Sequence, residues 1–573
     1  MFSEDKKRNK IMLLLFSILF CSTYFPFILF GGYAPGDDIG LAISTPSFNS
    51  FINYTLQRLG GSNYHRPIAW LFGCFILTLF HNNAILYIVL NLIMWLLSVV
   101  LISYTIKNIL GKYVAWLFIL LSSFPFFISA ILNYHIVCFH QYLLPIIFWA
   151  LSLILLRVYV FQRHKIYYLS AYLSLILGIL SSAMLLPLLI VVMLLPLIYE
   201  YENVGKMSII NLMKLSIRYV TPVITIAIVY LFFYLYGYKI YTDLTQPYAV
   251  SPIGIISILQ ALYFFIAIVV EVPLMLVEVI PHMLKWQVMI SGTLITFFIY
   301  IIRKNLLNEK VIVENNNKIS IEKFFICIVF ISLMFGCSIL LISNYPATTF
   351  GFYNRMLLPA FIMVSTIISW LFSKMLRTRW FIFPIIISIL WVSSMTVQLD
   401  NFIKSWEMRE KISADLSVKL NSSDLGEKPI LIANMPYFLI NNYNNEEVTF
   451  CTWAFDAHLK LAGAPEMTAW PISYRIVNDP LFYPAHNILN NLSRISDDGN
   501  IWYYEYEEGN EKGMFKKLGN KKALLEKFEE IKVKKINYHP IILRERIRLG
   551  FKKFPLVWET YKQKLPEKIK QNI

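Results

Sequence analysis

Two adjacent carboxylates, Asp37 and Asp38, stand in the turn-forming stretch Tyr33-Ala34-Pro35-Gly36-Asp37-Asp38-Ile39-Gly40, just past the first long apolar run. Side by side near an apolar phase, two such groups do not ionise equally. Their proton affinities separate, which suits one to accept a proton from a hydroxyl while the other orients it or orders a cation. The same residues also make a good β-turn and helix cap, so a purely structural reading stands beside the chemical one. Further along comes Tyr64-His65-Arg66-Pro67. Proline fits the first position of a helix, and a guanidinium just before it can bind a phosphate, pair with an Asp or reach up to lipid head groups. Arg355, in Phe352-Tyr353-Asn354-Arg355, offers the same choices. His135 and His140 mark another polar turn in Asn133-Tyr134-His135-Ile136-Val137-Cys138-Phe139-His140. Their spacing is not that of a zinc site, and the plain alternative is polar residues at a helix end. Asp37 and Asp38 are therefore the candidate catalytic pair. Arg66, Arg355, His65, Tyr64, Tyr353, His135 and His140 are the candidate contacts to a lipid phosphate or sugar.

The elements that must position these residues are set by composition. Of 573 residues, 57% are hydrophobic and only 15% charged, whereas a soluble domain carries about a quarter charged residues. Repeated apolar runs of about twenty residues identify a polytopic α-helical membrane protein. The first run follows Lys6-Lys7-Arg8-Asn9-Lys10; its apolar core is too long for a secretory signal and Ser22-Thr23-Tyr24-Phe25-Pro26 is a poor cleavage site, so it reads as a retained span. The net charge of +16 is spread over short inter-helix loops and the tail beyond Lys512. Topology and anionic head groups explain both places, and nucleic acid is not an expected partner. The six cysteines form neither a disulfide framework nor a CxxC site.

Flanking charges orient about eleven spans, with the basic loops on one side, as the positive-inside rule requires. These are the runs 11–30, 84–106, 113–132, 142–160, 167–180, 183–198, 219–235, 286–302, 324–343, 356–372 and 380–397. The first outer loop, 31–83, holds the acidic pair and an apolar helix from Pro67, whose Ile68, Leu71, Phe72 and Phe75 have the spacing of an interfacial helix. The opposite face is nearly free of cations except Arg58, Arg66, Lys239, Lys285 and Arg355. The segment 252–281 is apolar but carries Glu271 and Glu278 on one helix face; it reads either as interfacial helices or as two further short spans.

Three regions follow: a transmembrane catalytic domain at 1–398, a small mixed α/β domain at 399–535 and a basic, helical tail at 536–573. Pro429-Ile430-Leu431-Ile432-Ala433 has the pattern of a buried strand, and Ile501-Trp502-Tyr503-Tyr504-Glu505-Tyr506 begins a hairpin. Span parity puts this domain outside the cytosol.

The acidic pair, then Tyr64-His65-Arg66-Pro67-Ile68, then an interfacial helix and a second span containing Asn91, resembles the pattern of the GT-C membrane glycosyltransferases. The similarity is to the serotype-converting O-antigen glucosyltransferases and the protein O-mannosyltransferases, over roughly the first 110 residues. Many such relatives carry an acidic residue at the tip of the tight fifth/sixth helix pair; here the tip is Leu180-Ser181-Ser182-Ala183. The resemblance implies inverting transfer of a sugar, such as glucose, from a polyprenyl-phosphate carrier to a glycan or lipid-linked acceptor, including lipopolysaccharide. It places the site outside the cytoplasm, with an Asp as base; the Lys/Asn/Ile-rich composition suits an AT-rich bacterial gene, which would make that side the periplasmic face of the inner membrane. No cofactor is implied, although Asp37 and Asp38 leave a divalent metal open. The competing readings are an O-antigen polymerase or ligase, which would lean on Arg355 more than on the first-loop acids, and a transporter, which needs intramembrane charge.

Overall fold

The computed structural model describes residues 2–34, 37–44, 46–59, 64–204, 209–241, 262, 264–308, 316–342, 349, 352–436, 452–472, 495–497, 499–507, 510–533 and 544. The expected tail, 536–573, lies outside the described residues apart from Arg544. The chain divides into two compact units: residues 1–29, 46–80 and 85–397 form the first, and residues 30–45, 81–84 and 398–573 the second.

The first unit is helical. Among the described residues, nine helices are long and apolar enough to cross a membrane: Lys7–Phe30, Ala84–Leu110, His135–Gln162, Ala183–Val204, Met213–Tyr234, Phe264–His282, Trp286–Asn308, Asn354–Met375 and Ile382–Asn421. Helices satisfy their own backbone polar groups, which is why uninterrupted apolar runs take this form. The protein is thus an integral, multi-pass membrane protein by the length and composition of these helices. The chain opens with α1 (Phe2–Phe30), α2 (Asp37–Ile43), α3 (Phe51–Leu59), α4 (Pro67–Phe80), α5 (Ala84–Leu110) and α6 (Lys112–Ser122). Pro67 begins α4, where its missing N–H leaves no bond unmade. This helix is apolar all round: Trp70, Gly73, Cys74 and Leu77 pack inward, while Leu71, Phe75 and Leu79 stay exposed.

One sequence expectation changes. The run 113–132 is not one continuous helix: α6 stops at Ser122, a 3₁₀ turn occupies Phe126–Ile128, and short helices follow at Ala130–Asn133 and His135–Cys138. Pro125 is the cause, since it donates no N–H and keeps the residue before it out of the helical region. Most of 252–263 lies outside the described residues; from Phe264 to His282 the chain forms one helix of membrane-crossing length, within which Glu271 is fully buried and accepts hydrogen bonds from Thr349 N (3.2 Å) and Thr349 Oγ1 (2.8 Å).

The interruption after α6 frees backbone groups that cannot be left unpaired in an apolar interior. Distant side chains satisfy them. Trp391 Nε1 donates to Leu121 O (2.9 Å) and Phe124 O (2.8 Å), and Tyr24 Oη donates to Ser123 O (2.7 Å). Asn91 Nδ2 donates to Ile131 O (2.9 Å), while Asn354 Oδ1 accepts from Ala130 N (2.9 Å). Phe126 and Phe361 close round the Trp391 ring, at 4.7 and 6.0 Å between centroids.

The second unit holds a four-stranded sheet in the order β2-β1-β3-β4, where β1 is Ile430–Asn434, β2 Thr468–Ile472, β3 Ile501–Glu505 and β4 Met514–Gly519. The first three strands are parallel and β4 runs antiparallel to β3. Alternation splits the side chains between two cores. Leu431, Ala433, Trp502 and Tyr504 face Ile412, Leu416 and Leu420 of the long helix Ile382–Asn421, whereas Ile432, Ile501 and Tyr503 face Leu524, Phe528 and Ile531 of the C-terminal helix Lys521–Val533. The helix Thr452–Leu461 makes the crossover from β1 to β2, and α2 packs against it.

Candidate functional site

In the first unit, the chain between the short helices and Leu144 is a π-helical turn, Phe139–Leu143. Such turns carry one extra residue within a helix and often mark functional positions. This one presents His140, Gln141 and Tyr142 in succession. His140 is fully buried; its Nδ1 lies 2.7 Å from Ile136 O. Only a donor can bond that carbonyl, so the proton sits on Nδ1 and leaves Nε2 as an acceptor for Gln141 Nε2, 3.3 Å away. The Gln141 amide is thereby oriented, and its Oε1 accepts from Arg66 Nη1 at 2.6 Å. The next residue, Tyr142, takes a hydrogen bond on its hydroxyl from Arg355 Nε (2.7 Å). Arg355 is almost wholly buried and sits 5.5 Å from the centroid of the same ring. Two arginines separated by hundreds of residues therefore meet neighbouring positions of one turn.

Neighbouring packing supports this arrangement. Trp70, one turn beyond Arg66 on α4, lies edge-on to His140 at 5.3 Å. A side chain at Gly73 would bring its Cβ within 2.9 Å of the His140 ring, so the glycine makes room for the histidine. Arg58, at the end of α3, donates to Tyr54 Oη (2.7 Å) and sits 5.5 Å from the Trp70 ring. Among the described residues, two buried donors, Arg66 Nε and Trp70 Nε1, have no hydrogen-bond partner. Buried donors in proteins are nearly always bonded, and an anionic oxygen is a strong acceptor for both types. Asn354, immediately before Arg355, is tied to Ala130 N and to Ser129 Oγ (3.2 Å), so the helix break also fixes Arg355.

Of the other expected residues, Tyr64 donates to Tyr234 O at 2.5 Å, and His65 packs edge-on against Tyr234 at 5.2 Å. His135 is fully buried with Nδ1 3.1 Å from Asn133 O. Those contacts belong to the same unit as the π-helical turn. The side chain of Tyr353 lies outside the described residues, as does that of Asp37.

The acidic pair belongs to the second unit. Asp37 opens α2, and Asp38 behind it is fully buried. Burial and, after it, the nearby Asp38 charge push the Tyr33 phenol well above its ordinary range. The carbonyl of Tyr33 accepts from Arg409 Nη1 at 2.8 Å. Arg409, buried on the long helix, also donates from Nε to Ser405 O (3.3 Å) and lies 3.4 Å from His458 Nε2. Burial, reinforced by the Arg409 charge, holds the His458 imidazole well below its usual range. Trp406 completes the packing, with its ring 5.4 Å from His458 and 5.9 Å from Tyr33. A side chain at Gly32 would strike the Trp406 indole.

Sequence reasoning missed Gln141, Tyr142, Asn354, Trp391, Arg409 and His458. The run His140-Gln141-Tyr142 inside an apolar segment was a usable signal. Nothing local marks Trp391 or Arg409, whose partners are far away in the chain. Among the described residues, no group of three or more His, Cys, Asp and Glu side chains converges to hold a metal ion. No family model matches this chain, and neither a curated protein nor a solved structure does.

Proposed function

We propose that this protein is a GT-C-type membrane glycosyltransferase that moves a sugar from a polyprenyl-phosphate carrier to a surface glycan or lipid-linked acceptor. The observation that carries the reading is the pairing of Arg66 and Arg355 with adjacent residues of one π-helical turn, beside the buried donors Arg66 Nε and Trp70 Nε1. The Arg66 guanidinium, held by the neutral Gln141 amide, keeps its charge for a phosphate. In the reaction, the bond between the sugar C1 and the carrier phosphate breaks, and the phosphate leaves with the electron pair. The acceptor oxygen bonds C1 from the opposite side, which inverts the anomeric centre. Its proton passes to Asp37 or Asp38 as general base.

The test is mass analysis of surface glycans from cells with the intact gene, with none, and with Asp37→Asn, Asp38→Asn or Arg355→Gln. Loss of one sugar per glycan in the deletion, reproduced by an Asp variant that still inserts, supports the assignment. Glycans of unchanged composition in all strains sink it. Shortened or unattached chains on Arg355→Gln alone, with both Asp variants active, favour the polymerase or ligase reading instead.

One observation favours a transporter: Glu271 is a fully buried carboxylate within a helix of membrane-crossing length, and such groups mark ion or substrate paths. Its bonds to Thr349 also give it a structural role. Substrate movement that fails with Glu271→Gln while glycan composition stays intact would decide for transport.

A further inference from the structure

We propose that Arg157 and Tyr199 form a binding site for the phosphate of an anionic lipid head group, at the end of the first unit that bears Arg163 and Lys165. Along its helix Arg157 stands about 22 Å from Tyr142, so this site is separate from the π-helical turn and does not depend on the transferase reading.

Arg157 is a single cation in the apolar run Leu155-Leu156-Arg157-Val158-Tyr159. It lies on a helix of membrane-crossing length, His135–Gln162, about 7.5 Å before the helix end. A charge at that depth in lipid is costly unless another group answers it. Its Nε is buried with no hydrogen-bond partner among the described residues, and none of their acids forms an ion pair with it. Its neighbours are two rings: the guanidinium carbon is 5.1 Å from the centroid of Phe161 and 5.8 Å from that of Tyr199. Tyr199 is fully buried on the helix Ala183–Val204, which packs against the first, and it stands at the same distance from its own helix end. Its hydroxyl also has no hydrogen-bond partner among the described residues.

The nearby acids are engaged elsewhere. Glu200, next to Tyr199, accepts from Arg163 Nη1 (2.6 Å) and Nη2 (2.5 Å) and from Tyr219 Oη (2.6 Å). Glu202 acts electrostatically on Tyr199 but is exposed to solvent. Arg157 therefore keeps its charge beside a second unused donor. Both can donate to one phosphate, whose oxygens match the fork of a guanidinium. Basic pockets between membrane helices take phosphate-bearing head groups in this way. A lipid phosphate already lies near this level of the bilayer, whereas a free phosphate must give up its water to reach it. A zwitterionic head group would bring its own cation towards Arg157, so the match is to lipids of net negative charge.

Native mass spectrometry of the full-length protein in detergent, titrated with phosphatidylglycerol or phosphatidylcholine, tests the site. The wild type is expected to bind phosphatidylglycerol about tenfold more tightly than phosphatidylcholine; equal binding overturns the proposal. Arg157→Gln is expected to lower phosphatidylglycerol affinity about tenfold, and Tyr199→Phe, which keeps the ring and removes the donor, about threefold. Unchanged affinity in either variant overturns the two-donor site. Lys165→Gln, at an exposed cation of the same end, is expected to change little; a loss as large as that of Arg157→Gln assigns binding to general surface charge and overturns the proposal. Inorganic phosphate at millimolar concentration is expected not to displace the lipid, and displacement would make the ligand a free anion instead. If Arg157→Gln fails to reach the membrane, Tyr199→Phe and the wild-type lipid preference still decide.

Discussion

The two polar regions are built by opposite means. In the first unit, the π-helical turn and the break after α6 place polar side chains inside an apolar bundle by interrupting helices, and side chains from remote helices repair the interruptions. In the second, Arg409 and His458 sit on regular helices that pack with a conventional doubly covered sheet. A helix in an apolar environment offers no spare backbone groups, so function there needs irregularity. A sheet with helices on both faces leaves its polar residues to be chosen by side-chain packing alone.

The comparison breaks most sharply at the acids. Asp37→Asn is expected to cut transfer by about 10²–10⁴-fold, the range of a lost general base, in a protein that still folds and inserts. Quantitative glycan analysis checks this, and full activity in both Asp37→Asn and Asp38→Asn ends the mechanism. Next come the arginines: Arg66→Gln and Arg355→Gln each remove a charge-assisted contact of about 1.5–3 kcal/mol, weakening donor use by about 10–100-fold. A donor titration in proteoliposomes should show the loss in apparent affinity more than in turnover.

A third test touches no charged group. Gly73→Ala forces the His140 ring to move, and the displacement passes through Gln141 to Arg66. A loss of about tenfold is expected, since small misplacements near reacting groups carry such penalties. Unchanged donor affinity in that variant would mean that His140 does not orient the arginine. Trp391→Phe strips a shared donor from Leu121 O and Phe124 O. It should cost about 1–3 kcal/mol of stability, visible as a lower unfolding midpoint in detergent.

The smallest effect lies in the second unit. Burial pushes the Asp456 carboxyl from 3.8 up to about 6, and among the described residues its Oδ1 has no hydrogen-bond partner. A raised folded-state value means that the protonated form fits better, so this contribution to stability is present below about pH 4 and is lost as pH rises through about 6. Asp456→Asn should raise the unfolding midpoint by a few degrees at about pH 8 and leave it unchanged at about pH 4. A shift of equal size at both values would assign the effect to packing.

Part of this was legible in the chain. Apolar runs of spanning length have one stable backbone form in lipid, so a polytopic helical protein follows from composition. The start of α4 at Pro67 follows from proline's missing donor, and β1 and the β3–β4 hairpin follow from alternation and turn residues. Pro125 signalled the break after α6, yet the apolar residues around it masked that signal in a hydropathy reading. The partners of the break were not legible at all. Trp391 is an ordinary aromatic residue until its indole meets two carbonyls some 270 residues away. Arg409 is one charge among many until the fold buries it beside Tyr33. Local pattern encodes which segments become helix or strand because those hydrogen bonds close within a few residues. Which side chain answers which exposed carbonyl or buried charge depends on packing between distant segments, and only the tertiary structure decides that.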